Sequence, residues 1–137
     1  MATKFHLALP CVNVSKTKAF YVDILGATMG RSAVKWADVN LFNNQITFTE
    51  CGPFKFDCKN YSFNGDILPS FHFGIILEKR DWEQIHKRLI SKRYEIVSEV
   101  KFLENKTGEH RSFFIKDPND FMVEFKCFTN PNEVFES

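Results

Sequence analysis

Alternating apolar and polar positions outline the same unit twice along the chain. Residues 71–77 have the pattern of a buried strand, rich in aromatic and β-branched residues, with His72 near its start. A similar pattern occurs at residues 5–10, where the histidine is His6. A short polar break and a helical pattern follow in both places. We therefore interpret the chain as an internal repeat of one supersecondary unit.

Periodicity and turn residues predict the remaining elements. Helical spacing indicates helices at residues 14–25 and 82–91. Asn13 or Ser15 is placed to cap the first helix, and Asp81 stands at capping-box spacing before the second. Further strands are predicted at residues 28–31, 34–42, 45–50, 94–100, 112–115 and 121–127. Turns are predicted at residues 43–44 and 117–120. Each unit thus reads strand, helix, strand, strand, strand, which predicts an α+β fold.

These boundaries divide one predicted domain, residues 1–137, into four parts. They are a first module at about 3–50, a linker at 51–69, a second module at about 70–128 and a tail at 129–137. The linker carries an unusual number of aromatic residues for a solvated tether: Phe54, Phe56, Tyr61 and Phe63. We expect it to form a flap over a pocket or a clasp onto a second subunit.

Composition excludes several classes of function. The chain has 137 residues and a net charge of +1 with both signs interspersed, so no basic stripe indicates nucleic acid as a partner. No apolar run approaches the roughly 20 residues of a membrane span, and the N-terminus lacks the apolar segment of a signal peptide. The four cysteines form no CxxC pair, which favours reduced thiols in a cytoplasmic protein.

The candidate chemistry lies on the first and last strands. In the last strand Glu124 shares a face with Met122 and Lys126, between two apolar neighbours, and a half-buried carboxylate needs a partner. If the concave faces of the modules converge, Glu124 meets His6 and His72. Two imidazoles and one carboxylate suit a divalent metal with open coordination positions.

An ordinary structural explanation stands beside this one. Each histidine can be a satisfied core residue, and Glu124 can pair with Lys126 or Arg111. His110, before a strand, is either a general acid or base at the rim of a site or a solvated loop histidine. Trp36 either lines a pocket for an aromatic substrate or packs in the core.

The sequence resembles the vicinal oxygen chelate superfamily, which includes glyoxalase I, extradiol dioxygenases and antibiotic-resistance proteins. The matching stretches are FHLALP at 5–10, AFYVDILG at 19–26, FHFG at 71–74, KDPND at 116–120 and VEF at 123–125. The resemblance implies two tandem βαβββ modules forming a cup-shaped, partly open mixed β-barrel with flanking helices. It also places His6, His72 and Glu124 at metal-ligand positions, and short members of the superfamily usually form homodimers.

Two departures bear on the reaction that the resemblance implies. The repeat counterpart of Glu124 falls near Thr49, with Gln45 and Thr47 on the same face, so no fourth charged ligand of the glyoxalase I kind is present. This favours an extradiol-type dioxygenase. The strand at residues 112–115 lacks the tyrosine of those dioxygenases, and Asp120 replaces the usual glycine of the turn.

Three functions therefore stay open. The first is a dioxygenase-like enzyme in which a divalent metal chelates vicinal oxygens of a small substrate, with Fe(II) favoured over Zn, Ni or Mn. The second is a glyoxalase-type lyase or isomerase that uses the metal as a Lewis acid. The third is a metal-free protein that binds a small molecule such as an antibiotic.

Overall fold

A computed structural model describes residues 2–137, and its backbone forms two compact units. Unit one comprises residues 2–56 and the short segment Asp117–Asp120. Unit two comprises Asp57–Lys116 and Phe121–Ser137. No helix among the described residues is long and apolar enough to cross a membrane.

Unit one is an open four-stranded mixed sheet with one helical segment. Its elements are β1 (His6–Cys11), α1 (Val14–Ala19) with a π-helical turn (Phe20–Ile24), β2 (Thr28–Ser32), β3 (Trp36–Leu41) and β4 (Asn44–Glu50). The strand order is β1-β4-β3-β2, in which β1 and β4 are parallel and the other pairs antiparallel. This is the predicted strand-helix-strand-strand-strand order.

The first helix follows its local sequence closely. The Asn13 side chain accepts a hydrogen bond from the Lys16 amide at 2.8 Å, which confirms Asn13 as the N-cap. Gly26, with φ of 78°, ends the segment in the left-handed region. The prediction of one regular helix was wrong in its last turn, where the Leu25 amide bonds the Phe20 carbonyl five residues back.

The predicted turn at 117–120 is present and packs within unit one. The Tyr21 hydroxyl donates to Asp117 Oδ2 at 2.8 Å, and both groups are buried. Asn119 accepts from the Val12 amide at 2.8 Å and donates to the Thr17 hydroxyl at 3.2 Å. These buried polar groups satisfy one another, so the turn leading into the last strand is held by the Thr17 and Tyr21 side chains of the helical segment and by the Val12 amide.

The region predicted as a linker contains a β-hairpin. Its strands are β5 (Asn60–Phe63) and β6 (Asp66–Pro69). Asn64 and Gly65, with φ of 49° and 85°, form the two-residue connection, and positive φ at both positions matches the twist of antiparallel strands. The punctuation at Asn64-Gly65 was therefore a hairpin signal rather than a linker signal.

Unit two repeats the architecture of unit one beside this hairpin. Its elements are β7 (Phe73–Ile76), α2 (Lys79–Ser91), β8 (Ser98–Phe102), β9 (His110–Lys116), β10 (Met122–Phe128) and a short 3-10 turn (Pro131–Glu133). The strand order β7-β10-β9-β8, with β7 and β10 parallel, matches that of unit one. The predicted α+β class with two βαβββ modules is confirmed, with both sheets open.

Helix α2 begins one turn earlier than predicted. Its N-cap is Glu78, which makes no side-chain capping bond, and Asp81 lies inside the first turn instead. The predicted apolar stripe is confirmed, since Trp82, Ile85 and Leu89 are all buried. Trp82 Nε1 also donates to the carbonyl of Phe125 at 2.8 Å, which fixes the helix against β10.

Strand β8 begins later than the predicted residue 94. The Tyr94 amide bonds the Leu89 carbonyl, so this residue completes the end of α2. Its hydroxyl donates to the carbonyl of Lys116. Hydrogen bonding to the helix therefore outweighs the β propensity of Tyr94.

Candidate functional site

His72 and Glu124 meet in unit two. His72 directly precedes β7, and its Nε2 atom lies 3.3 Å from Oε1 of Glu124. Its Nδ1 atom lies 3.1 Å from the carbonyl oxygen of Pro69. Because a carbonyl only accepts, Nδ1 carries a hydrogen and Nε2 is the atom that faces the carboxylate.

This orientation has different consequences for the two protonation states. A protonated His72 donates Nε2–H to Glu124, and this carboxylate is the main cause that raises the pKa of His72 above its ordinary 6.5. A neutral His72 turns a lone pair toward the carboxylate. Nε2 of neutral His72 and Oε1 of Glu124 are then two lone-pair donors that face one point, as two ligands of a metal ion would. The Pro69 carbonyl orients the imidazole, as hydrogen-bond partners of metal-binding histidines do.

Glu124 is buried, with only 6% of its surface exposed. Lys126, on the same face of β10, places Nζ 3.8 Å from the same Oε1 atom. Burial by itself raises the pKa of Glu124, but its His72 and Lys126 neighbours outweigh burial and the net pKa lies below its ordinary 4.5. The buried Ser112 hydroxyl adds to this lowering, although among the described residues it has no partner at good hydrogen-bonding geometry.

The ordinary structural explanation, in which Glu124 pairs with Lys126 or Arg111, is therefore partly right. The predicted Lys126 pairing is present, whereas Arg111 pairs with Glu83 at 3.2 Å and lies over the Trp82 ring at 4.1 Å. Without a metal the buried carboxylate is balanced by two basic neighbours.

A cavity of about 190 Å³ opens beside the His72 and Glu124 side chains. Aromatic and aliphatic side chains from the hairpin and the sheet form most of its wall. The lining residues are Tyr61, Phe63, Leu68, His72, Phe102, Leu103, His110, Phe114, Glu124 and Lys126. Of the four linker aromatics expected to form a flap over a pocket or a clasp onto a second subunit, Tyr61 and Phe63 line this cavity.

His110 also lines this cavity, and it is a half-buried strand residue rather than a solvated loop histidine. Its ring stacks on Phe102, with centroids 4.8 Å apart, and lies 4.7 Å from the ring of Phe128. Nδ1 lies 2.8 Å from the Gly108 carbonyl, so Nδ1 carries a hydrogen and Nε2 stays available to a ligand.

His6 belongs to unit one, where it is exposed on β1 opposite Gln45. Both residues line a cavity of about 410 Å³ together with Asp38. Asp38 accepts hydrogen bonds from Thr47 Oγ1 at 2.6 Å and from Gln45 Nε2 at 3.3 Å. The Gln45 side chain therefore points its NH₂ group at the Asp38 carboxylate.

Asp38 is a candidate-site residue that the sequence reasoning missed. It is buried at 4% exposure between Ala37 and Val39, which are also buried. A carboxylate between two apolar neighbours on a strand is the signal that identified Glu124, so the same reasoning would have found Asp38. Arg31 lies 3.5 Å from it.

Strand pairing corrects the repeat counterpart of Glu124. In unit two Glu124 pairs with Gly74, two residues after His72. In unit one the residue two after His6 pairs with Thr47, so Thr47 rather than Thr49 is equivalent to Glu124. Thr49 is exposed opposite Trp36, whose ring lies 5.9 Å from the Arg31 guanidinium carbon.

The predicted ligands are thus divided between the units, with His6 in unit one and the other two together in unit two. Within residues 2–137 the structure contains no group of three or more His, Cys, Asp or Glu side chains placed to hold a metal. The oriented imidazole nitrogen and the buried carboxylate of the His72–Glu124 pair fit two ligands of a divalent ion.

Comparison with known proteins agrees with this fold. A family model described as the glyoxalase/bleomycin resistance protein/dioxygenase superfamily matches residues 5–125. Among curated protein sequences none matches the chain.

Several solved structures share the architecture. A glyoxalase/bleomycin resistance protein/dioxygenase from Alicyclobacillus acidocaldarius has a TM-score of 0.82 at 22% identity, covering 97% of this chain and 96% of that one. The fosfomycin resistance protein FosX from Listeria monocytogenes has a TM-score of 0.65 at 16% identity, covering 97% and 98%. A lactoylglutathione lyase from Agrobacterium tumefaciens has a TM-score of 0.64 at 14% identity, covering 93% and 94%. At these identities the likeness is one of fold.

Proposed function

The chain belongs to the glyoxalase/bleomycin resistance protein/dioxygenase superfamily, and we propose that it is a divalent-metal-dependent enzyme whose ligands are His6, His72 and Glu124. The family match confirms the resemblance found in the sequence. The favoured ion is Fe(II), with Zn, Ni or Mn as alternatives, and the favoured reaction is of the extradiol dioxygenase type. The substrate is a small molecule with two adjacent oxygens.

The observation that carries this proposal is the geometry of the His72–Glu124 pair. The two facing atoms are 3.3 Å apart, and the Pro69 carbonyl fixes which nitrogen faces the carboxylate. Metal-binding histidines regularly donate their other ring N–H to a backbone carbonyl in this way. The burial of Glu124 adds support, because a buried carboxylate favours a cation as its neighbour.

Each residue has a distinct role in the proposed site. His72 and Glu124 supply an imidazole nitrogen and the one negative charge, and His6 supplies the second imidazole. Lys126, close to the same carboxylate oxygen, holds an anionic substrate oxygen near the ligands. His110, with Nε2 free to bind a ligand, exchanges a proton with the substrate as general acid or base. When bound, a divalent ion supplies Lewis-acid chelation of adjacent oxygens and, as Fe(II), electrons for O₂ chemistry.

The number of ligands favours a dioxygenase over a lyase. Three protein ligands would leave coordination positions open, so a bound Fe(II) would supply the chelation of substrate oxygens and the O₂ chemistry of a dioxygenase. Thr47, at the position equivalent to Glu124, adds no charged fourth ligand, and its hydroxyl is engaged by Asp38. The residues of unit one proposed to line the substrate site are Gln45, Thr47, Thr49 and Trp36, together with Asp38.

A second candidate, metal-free binding of a small molecule, is favoured by Lys126. Its ammonium and the His72 imidazole already balance Glu124 without a metal ion. We propose in either case a cytoplasmic homodimer, with no nucleic-acid or membrane partner.

The test is elemental analysis of anaerobically purified protein, followed by oxygen uptake with the Fe(II)-loaded protein across a panel of catechols. A hemithioacetal isomerisation assay with Ni(II) or Zn(II) runs in parallel. We expect bound metal and catechol-dependent oxygen uptake, both lost in His72→Ala and retained in the control His86→Ala. Isomerisation alone would replace the dioxygenase with a lyase. If the purified protein retains no metal, metal-free binding of a small molecule becomes the supported function.

A further inference from the structure

The β5–β6 hairpin forms one wall of the cavity in unit two. It lies between the two βαβββ modules in the sequence and belongs to neither. Tyr61 pairs with Leu68 across the hairpin, and with Phe63 these residues line the cavity. Ile67 pairs with Ser62 on the opposite face and is 65% exposed. The hairpin thus presents its aromatic face to the cavity.

The aromatic wall is incompletely packed as it stands. Tyr61 and Phe63 are 44% and 41% exposed, although Phe63 lies with its ring centroid 5.9 Å from that of Phe102. Phe102 and Phe114 are buried with Leu68 in one apolar cluster. A flat apolar ligand resting on this cluster would remove aromatic surface of the hairpin from water, which is favourable.

The cavity is large enough for an aromatic ring. An apolar cavity of about 150 Å³ in a protein core accommodates benzene. The cavity here, about 190 Å³ and open to solvent on one side, therefore has room for one aromatic ring and a small substituent.

The polar end of the cavity favours an oxygen anion. Lys126 is half-buried, carries three donors, and makes a long 3.8 Å contact with Glu124. Three basic side chains, Lys126, His72 and His110, line the cavity together with a single acid. An anionic oxygen beside Lys126 would accept hydrogen bonds from ammonium donors that the long contact with Glu124 leaves available.

We propose that this cavity binds a single aromatic ring bearing a carboxylate or phenolate oxygen, with the ring between Tyr61 and Phe63 of the hairpin and Phe114 of the sheet. Lys126 contacts the anion. The inference rests on the proposed function only in assigning the cavity to the substrate, because the contacts named here all come from protein side chains. Binding therefore does not require a metal.

The experiment is isothermal titration calorimetry, in which benzoate is added to chelator-treated full-length protein and the heat of binding is measured. Cyclohexanecarboxylate serves as the non-aromatic anion and benzyl alcohol as the uncharged aromatic. We expect benzoate to bind at millimolar concentration and more tightly than both controls. Tyr61→Ala and Phe63→Ala should each weaken benzoate binding about three- to ten-fold, the range of one aromatic contact.

Two further variants separate the contributions. Lys126→Met should remove the preference for benzoate over benzyl alcohol while leaving aromatic binding in place. Ile67→Ala, on the outer face of the same hairpin, is the matched control and should bind as the wild type does. Circular dichroism checks that each variant is folded.

The result that would overturn the inference is benzoate binding unaffected by the Tyr61 and Phe63 changes, or no preference over cyclohexanecarboxylate. The metal proposal fails separately. A protein that binds benzoate but never retains a divalent ion would contradict the metal site and leave the aromatic cavity standing. Metal retention with no benzoate binding would contradict the aromatic cavity and leave the metal site standing.

Discussion

Gly74 lies directly against the backbone of Glu124 where β7 pairs with β10. A Cβ atom built on Gly74 would lie 1.8 Å from the carbonyl oxygen of Glu124 and 2.6 Å from its carbonyl carbon. Both distances are far shorter than non-bonded contact allows. The absence of a side chain at Gly74 therefore permits this approach of the strand that follows His72. The equivalent position of unit one holds Ala8, opposite Thr47.

Substitution Gly74→Ala should accordingly destabilise the protein. Since the clashing atoms are backbone, relief requires β7 to move away from β10, and overpacking of this kind typically costs about 1–3 kcal/mol. Urea unfolding followed by circular dichroism measures the change. Ala8→Gly, at the equivalent strand position, is the control and should cost no more than about 1 kcal/mol. Equal stability of Gly74→Ala and wild type would show that the strands separate freely.

The second prediction concerns the metal. His72→Ala removes a proposed ligand, and we expect the affinity for Fe(II) or Zn(II) to fall by more than the roughly 10- to 100-fold that loss of an outer-shell partner costs. Equilibrium dialysis with elemental analysis measures this. His86→Ala is the control, because His86 stacks on Trp82 and bonds Glu99, away from the proposed ligands. Wild-type metal content in His72→Ala would contradict the proposed ligand set.

The third prediction concerns pH in the metal-free protein. The folded-state pKa of Glu124 is lowered, so its contribution to stability is present above about pH 4.5 and is lost as the pH falls through the folded pKa. The pKa of His72 is raised, so its contribution is present below about pH 6.5 and is lost as the pH rises through the folded pKa. The pair should therefore stabilise the fold most between these two values.

Thermal unfolding of wild type and His72→Gln, both treated with chelator, tests this window. The difference in Tm should be largest near about pH 5.5 and should shrink toward about pH 8.5. A difference that does not change with pH would mean that His72 contributes only packing.

The fourth prediction is that the protein is a homodimer. β1 and β7 are edge strands of open sheets, and the apolar Phe5 and Ile76 side chains beside and within them are 61% and 53% exposed. Exposed apolar strand edges favour pairing with another chain, and closed two-fold dimers are the commonest outcome. Light scattering at high micromolar concentration should give the mass of two chains. A monomeric mass at that concentration would count against the dimer.

Local periodicity predicted much of this fold. The repeated strand-helix-strand-strand-strand order, the Asn13 cap and the buried stripe of α2 are confirmed, because each depends on residues a few positions apart. The same alternation placed Glu124 and Lys126 on one face of β10, where Nζ of Lys126 lies 3.8 Å from Oε1 of Glu124. The motifs that carry the family resemblance are likewise short continuous stretches of sequence.

Partners distant in sequence were decided only by tertiary structure. The contact of His72 with Glu124, the Pro69 carbonyl that orients the imidazole and the equivalence of Thr47 with Glu124 all depend on which strands pair and in which register. A strand pattern fixes the face on which a side chain lies, but a partner on another strand is chosen by packing over the whole sheet. The place of the β5–β6 hairpin in the wall of the cavity was decided in the same way.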